Sequence, residues 1–300
     1  MQRFFGRKHL WKINTLLIDH KESGAIIALM AINTVTITWA KQQYPQFLLP
    51  HLGEKRRYTH LMSRALLLSV LQQYYDPGIT ALPELSYNQH QKPSFISAPY
   101  LFNLTHTEDA VAVIIFPLSA TTSSSSVAPM ISIGIDLERI QPRRSFSGLL
   151  ERTFTPIERA WILEDREQSL KSSTGNPAPL SLPLNSEAQR RFFLLWSTKE
   201  AYLKADGRGL QGLKSLEINP LQQALYGDLR GGKLYAGTTS FNQQAHSIAL
   251  YLPKNSADHL KITALQVTSN GATFSSAQIK WDLTLSDMPK QHINNHEIPF

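Results

Sequence analysis

The chain contains no cysteine. Disulfide staples, thiolate metal sites and thiol nucleophiles are therefore excluded. A cysteine-free composition is compatible with a reducing compartment, and a cytoplasmic location is expected. Long apolar runs are also missing. No stretch approaches the roughly 20 residues that a membrane-spanning helix requires, so no membrane partner is expected. Arg3, Arg7, Lys8 and Lys12 do precede the apolar run Gly24–Ile32. The intervening Asp19, His20, Lys21 and Glu22 break the pattern of a secretory signal. Charged residues make up only 18% of the chain against 42% apolar, which predicts a packed core rather than disorder. The basic residues are scattered, with no stripe interleaved with aromatics, so nucleic acid is not the expected partner.

What is present is an excess of positive charge, +7 with a pI of about 9.5, in 300 residues. That suits an anionic partner. Thr34–Trp39 alternates apolar and polar and predicts a strand. Glu54–Tyr75 repeats apolar residues every three or four positions and predicts a helix ended by Asp76-Pro77-Gly78. Ser86–Pro99 reads as a loop, and Ala110–Phe116 as a buried strand. The serine-rich segment Ala120–Pro129 reads as a flexible loop, followed by a strand over Ile131–Glu138. Thr155-Pro156-Ile157-Glu158 has the form of a capping box that opens a helix to about Glu167. Gln168–Ser186 reads as a second loop, Glu187–Ala205 as a helix ended at Asp206-Gly207, and Ser247–Leu252 and Leu260–Val267 as strands. The expected organisation is an N-terminal extension (1–33), an N-terminal lobe (34–119), a loop (120–130), a C-terminal lobe (131–255) and a C-terminal extension (256–300).

Two stretches carry chemistry. In Gly134–Glu138, GIDLE, alternation puts Asp136 and Glu138 on one strand face, about 7 Å apart. Paired carboxylates suit Mg²⁺ or Mn²⁺, which accept hard oxygen ligands and keep room for a phosphate. A solvated strand face gives the same pattern, although Gly134 on that face leaves room for a ligand. In Trp196–Leu210, WSTKEAYLKADGRGL, Glu200 and Lys204 share a helix face, which an ordinary surface pair would also do. Gly207-Arg208-Gly209 follows and lets backbone approach an anion. Upstream lie Lys92-Pro93 and Phe102–Thr107, FNLTHT, with a hydroxyl at Thr105 and a ring at His106.

In this order, Lys92-Pro93, FNLTHT, GIDLE and WSTKEAYLKADGRGL resemble the 4′-phosphopantetheinyl transferases, most of all the larger surfactin-synthetase-activating type. The resemblance covers roughly 34–252. It implies an α+β pseudo-dimer of two similar lobes, each a small antiparallel sheet with a long helix. It implies transfer of the phosphopantetheine arm of coenzyme A to a serine of an apo acyl or peptidyl carrier protein. That reaction depends on Mg²⁺ and releases adenosine 3′,5′-bisphosphate. By the same resemblance Asp136, Glu138 and Glu200 hold the metal, with Glu200 and Lys204 catalytic. Lys92, Pro93, Thr105, His106 and Lys204 contact coenzyme A, with Arg57 and Arg64 at its 3′-phosphate. Gln91 stands where glycine is usual, and Glu158 is either near the metal or only a helix cap. The carrier is expected to be acidic and the enzyme a monomer. Another Mg²⁺-dependent phosphate or pyrophosphate enzyme and a basic nucleic-acid-binding module are the rival readings.

Overall fold

A computed structural model describes residues 24–118, 132–142, 147–171, 186–207, 209, 212–213, 216–229, 232–241, 243–253, 260–268 and 271–288. The loop expected at 120–130 and Arg208 lie outside these residues; of the loop expected at 168–186, residues 168–171 are helical, 186 begins the next helix and 172–185 lie outside. The fold is α+β. Strands β1 (Ile26–Ala31), β4 (Tyr100–His106), β5 (Ala110–Pro117), β11 (Lys261–Thr268) and β12 (Gly271–Ser276) form one sheet in the order β12-β11-β1-β5-β4. Strands β6 (Gly134–Arg139), β7 (Glu217–Asn219), β8 (Ala224–Tyr226), β9 (Gly232–Phe241), β10 (Gln244–Pro253) and β13 (Lys280–Met288) form the other, in the order β6-β10-β9-β13-β8-β7. Strands β2 (Leu85–Tyr87) and β3 (Pro93–Phe95) pair as a separate hairpin. The helices are α1 (Thr34–Gln43), α2 (Glu54–Tyr74), α3 (Ser147–Thr153), α4 (Pro156–Lys171) and α5 (Ser186–Asp206).

The layers follow from side-chain alternation. On β1, Ile26, Ala28 and Met30 pack with α2 residues such as Leu66 and Val70. Ile27 and Leu29 face the other way and join Ile135, Leu137, Ile248 and Leu250 of the second sheet. The two sheets thus share one apolar layer, with α2 behind the first and α5 behind the second. Strands covered on both faces read as unbroken apolar runs rather than alternating ones, and Ala110–Ile115 is buried throughout.

Three segments differ from the sequence reading. Thr34–Trp39 is not a strand but the start of α1. Asn33 accepts from Thr36 N and the Thr36 hydroxyl accepts from Asn33 N, both at 3.0 Å. A reciprocal cap of this kind outweighs the strand preference of alternating β-branched residues. Ser86–Pro99 contains the β2–β3 hairpin rather than only loop. Its tight turn uses Gln91 at φ 63°, the left-handed conformation that explains why glycine suits this place. Segments assigned to terminal extensions supply strands to both sheets. β1 lies between β11 and β5 in the first, β11 pairs with it in parallel, and β13 sits between β9 and β8 in the second. The apolar run of β1 shows no strand period by itself, because the strand is buried on both faces, and its partners β5 and β11 are far away in sequence.

Gly134 decides how the second sheet meets its helix. A Cβ at this position would collide with the Ala201 carbonyl oxygen and stand 2.8 Å from Ala205 N. The space that the sequence suggested for a ligand is filled by α5. Replacing Gly134 with alanine is expected to force α5 off β6, at a cost of about 1–3 kcal/mol. Urea unfolding checks this, with a lowered midpoint and an unchanged m-value as the expected result.

Candidate active site

Strand β6 is the edge of the second sheet and lies beside β4, the edge of the first. Backbone ladders do not join these edges. Side chains of β4 do so instead: the Asn103 Oδ1 accepts from Ile135 N at 3.0 Å and the Thr105 hydroxyl from Leu137 N at 3.3 Å. Both positions are buried, and both satisfy amides that would otherwise be stranded. The junction places the opposite face of β6, with Asp136 and Glu138, against α5.

Helix α5 answers that face with Trp196, Glu200 and Lys204, four residues apart and so in one line. At one end the Trp196 indole N–H donates to Glu138 Oε1 at 3.0 Å. At the other the Lys204 ammonium lies 2.6 Å from Asp136 Oδ1 and 2.8 Å from the Thr105 hydroxyl, which itself donates to Asp136 Oδ1 at 3.0 Å. Asp136 Oδ2 is buried with no hydrogen-bond partner. Burial pushes the Glu200 carboxyl up to about 7; Asp136 and Glu138 add to this and Lys204 opposes it.

Beside these groups is a cleft of about 180 Å³. Its walls include His90, Lys92 and Pro93 from the hairpin, Asn103 and Leu104 from β4, and Lys204 from α5. The Lys92 ammonium reaches across to the carbonyls of Ala205 at 3.0 Å and Ile133 at 3.4 Å. Burial lowers its pKa to about 8, partly offset by Asp206. His106 ends β4; partial burial, then the Lys204 charge, lowers its pKa and favours the neutral ring. The cleft is therefore lined by the ammonium groups of Lys92 and Lys204, beside Asp136.

Comparison with known proteins settles the family. Residues 132–249 match the model of the 4′-phosphopantetheinyl transferase superfamily. The chain is 30% identical to 4′-phosphopantetheinyl transferase HetI of Nostoc sp. over 217 residues, which is 70% of this chain and 73% of that protein. The chain belongs to the 4′-phosphopantetheinyl transferase superfamily. It is also 28% identical over 154 residues to 4′-phosphopantetheinyl transferase AcpT of Salmonella typhimurium, covering 51% of this chain and 60% of that one. The pptA transferase of Paxillus involutus is 30% identical over 117 residues, 38% of each chain. The superfamily match includes β6 and α5, the two elements that carry the carboxylates.

Within this superfamily member the structure sorts the expected site residues. Asp136, Glu138, Glu200 and Lys204 come together, and Lys92, Pro93 and Lys204 line the adjoining cleft. Among the described residues no group of three or more carboxylates and histidines has the arrangement of a formed metal site. Lys204 and Trp196 instead hold two of the three carboxylates. Thr105 is buried, and its hydroxyl is engaged with Asp136, Lys204 and Leu137 N, which ties β4 to β6 and α5. The Arg57 guanidinium donates to the carbonyls of Pro50 and Leu52, within its own loop. Arg64 is buried, touches the Tyr87 hydroxyl at 3.3 Å, and leaves Nη1 without a partner.

Glu158 is resolved in favour of structure. Oε2 accepts from Thr155 N at 2.8 Å, completing the predicted capping box, and pairs with Lys199 at 2.9 Å; Oε1 accepts from Ile218 N at 2.8 Å. Lys199 is fully buried and also donates to the carbonyls of Leu216 and Thr153. Trp196 and Asn103 were not singled out from sequence. Their signal was their place inside the two recognised motifs, but the groups they touch are far away in sequence.

Two outcomes follow. Lys199→Met strands the buried Glu158 carboxylate and should cost about 3–5 kcal/mol in urea unfolding. Glu200 has a pKa raised from 4.5 to about 7 on folding, so its contribution to stability is present below 4.5 and is lost as pH rises through 7. Glu200→Gln should accordingly stabilise the metal-free protein more at pH 8 than at pH 5. Unfolding midpoints measured at both pH values check the sign.

Proposed function

We propose that the chain transfers the phosphopantetheine arm of coenzyme A to a serine hydroxyl of an apo carrier protein, with Mg²⁺, releasing adenosine 3′,5′-bisphosphate. The observation that carries this reading is the convergence of Asp136, Glu138 and Glu200 beside a cationic cleft in a chain of this superfamily. The chemistry of the donors, rather than a formed arrangement, suits a hard divalent cation: Asp136, Glu138 and Glu200 would hold it, and Asp136 Oδ2 is buried without a hydrogen-bond partner. When bound, Mg²⁺ neutralises pyrophosphate charge and stabilises the leaving group. Mn²⁺ would suit the same ligands.

The side chains supply the remaining chemistry. Glu200, with a carboxyl near 7, is suited to accept the proton of the attacking serine. The serine oxygen forms the new bond to the β-phosphorus of coenzyme A, and the bond from that phosphorus to the bridging oxygen breaks. The electron pair leaves with adenosine 3′,5′-bisphosphate. Lys204 and Lys92, both at the cleft, favour the phosphates electrostatically, and His106 at the end of β4 is the expected further phosphate contact. Buried Arg64 with its unpartnered Nη1 is the better of the two arginine candidates for the 3′-phosphate. The net charge of +7 favours encounter with an acidic carrier, acyl or peptidyl.

The test is intact-mass analysis of an apo carrier protein incubated with the enzyme, coenzyme A and Mg²⁺. The carrier should gain one phosphopantetheinyl group, and EDTA should prevent the gain. Asp136→Asn should slow the transfer by about 10²–10³-fold without lowering the unfolding midpoint. Wild-type rates in that variant would remove Asp136 from the site. Unmodified carrier across acyl and peptidyl classes would overturn the proposed reaction.

A further inference from the structure

We propose that Lys204 is a tethered cation that occupies the metal's place at Asp136, so that a divalent ion can bind only by displacing it. The inference rests on the metal reading above and adds a role for a residue otherwise assigned to phosphate contact. Asp136 is nearly closed to solvent, with its side chain 5% exposed, whereas that of Lys204 is 29% exposed. The ammonium reaches inward to Asp136 Oδ1 at 2.6 Å and is steadied by the Thr105 hydroxyl at 2.8 Å. Oδ1 thus carries a full positive charge and a hydroxyl donor, while Oδ2 of the same carboxylate has no partner.

The neighbourhood explains why a stand-in is needed. Asp136 and Glu138 both lie close enough to Glu200 to disfavour its charged form, while Lys204 opposes them, and like charges gathered in a buried place repel unless a cation joins them. Lys204 supplies that cation from the protein itself, on a stem with four rotatable bonds. The same side chain lines the cleft. An ammonium released from Asp136 therefore has an anionic phosphate as its next partner, without leaving the site. Lys92 is the natural contrast. It borders the same cleft but donates to two backbone carbonyls rather than to a carboxylate, so it does not compete with a metal for a ligand.

The experiment is Mn²⁺ binding to the full chain without coenzyme A, read from the free Mn²⁺ signal in electron paramagnetic resonance. Lys204→Met should bind Mn²⁺ tighter than wild type by on the order of tenfold, because the binding-competent state is no longer a minor fraction. Lys204→Gln, checked alongside by circular dichroism, should show the same gain if the methionine variant fails to fold. Lys92→Met should leave the affinity unchanged. Equal or weaker Mn²⁺ binding in both Lys204 variants would overturn the displacement. An equal gain in Lys92→Met would also overturn it, since removing any nearby charge would then suffice. Asp136→Asn separates the two levels. Mn²⁺ binding that survives this substitution would overturn the metal reading itself, whereas binding lost with Asp136 but not tightened by Lys204→Met would overturn only the inference.

Discussion

Strand β6 is gripped from two sides, and the rest of the site depends on that grip. On one side, α5 lies so close that only glycine fits at position 134. On the other, Asn103 and Thr105 of β4 hydrogen-bond to the β6 amides of Ile135 and Leu137. Removing either contact would separate carboxylates on β6 from the helix line that faces them. The scaffold concentrates close backbone packing and buried polar side chains at this place, because acidic groups do not gather without being held.

The polar interior shows a division of labour along α5. Lys199 points into the core, where Glu158 and two carbonyls meet its ammonium. Glu200, the next residue, points to β6 with no such anchor and carries a carboxyl raised to about 7. Adjacent residues on a helix are rotated by about 100°, so one motif sends Lys199 into the core and Glu200 toward β6. Trp196 and Lys204 bracket Glu200 and hold the β6 carboxylates by a neutral donor and a charged one. The neutral donor orients Glu138 without cancelling its charge. The charged one does cancel charge at Asp136.

Much of this was legible from the chain. The helices α2, α4 and α5, the buried strand β5, and the strands β6, β10 and β11 follow from period, capping and apolar runs. The motif residues Asp136, Glu138, Glu200 and Lys204 do meet. The misreadings have one physical source: local pattern was weaker than distant contact. Val35 and Ile37 alternate like a strand, yet the Asn33–Thr36 cap makes α1. Gly134 suggested space for a ligand, yet its space holds a helix. No helix among the described residues is long and apolar enough to cross a membrane.

The sequence by itself determined which chemical groups are available and which elements bear them: acidic pairs on a strand, an acid and a base four apart on a helix, basic residues nearby, and no thiol. Those are properties of residue type and of the strand and helix periods, which need no knowledge of neighbours. Tertiary structure alone decided which group each one meets. Asp136 faces Lys204 rather than solvent, Glu138 faces an indole, and Glu158 faces Lys199 rather than the carboxylate cluster. Burial then set Glu200 near neutrality. Desolvation and charge coupling depend on distances between residues far apart in the chain, and only the folded packing of β4, β6 and α5 sets those distances.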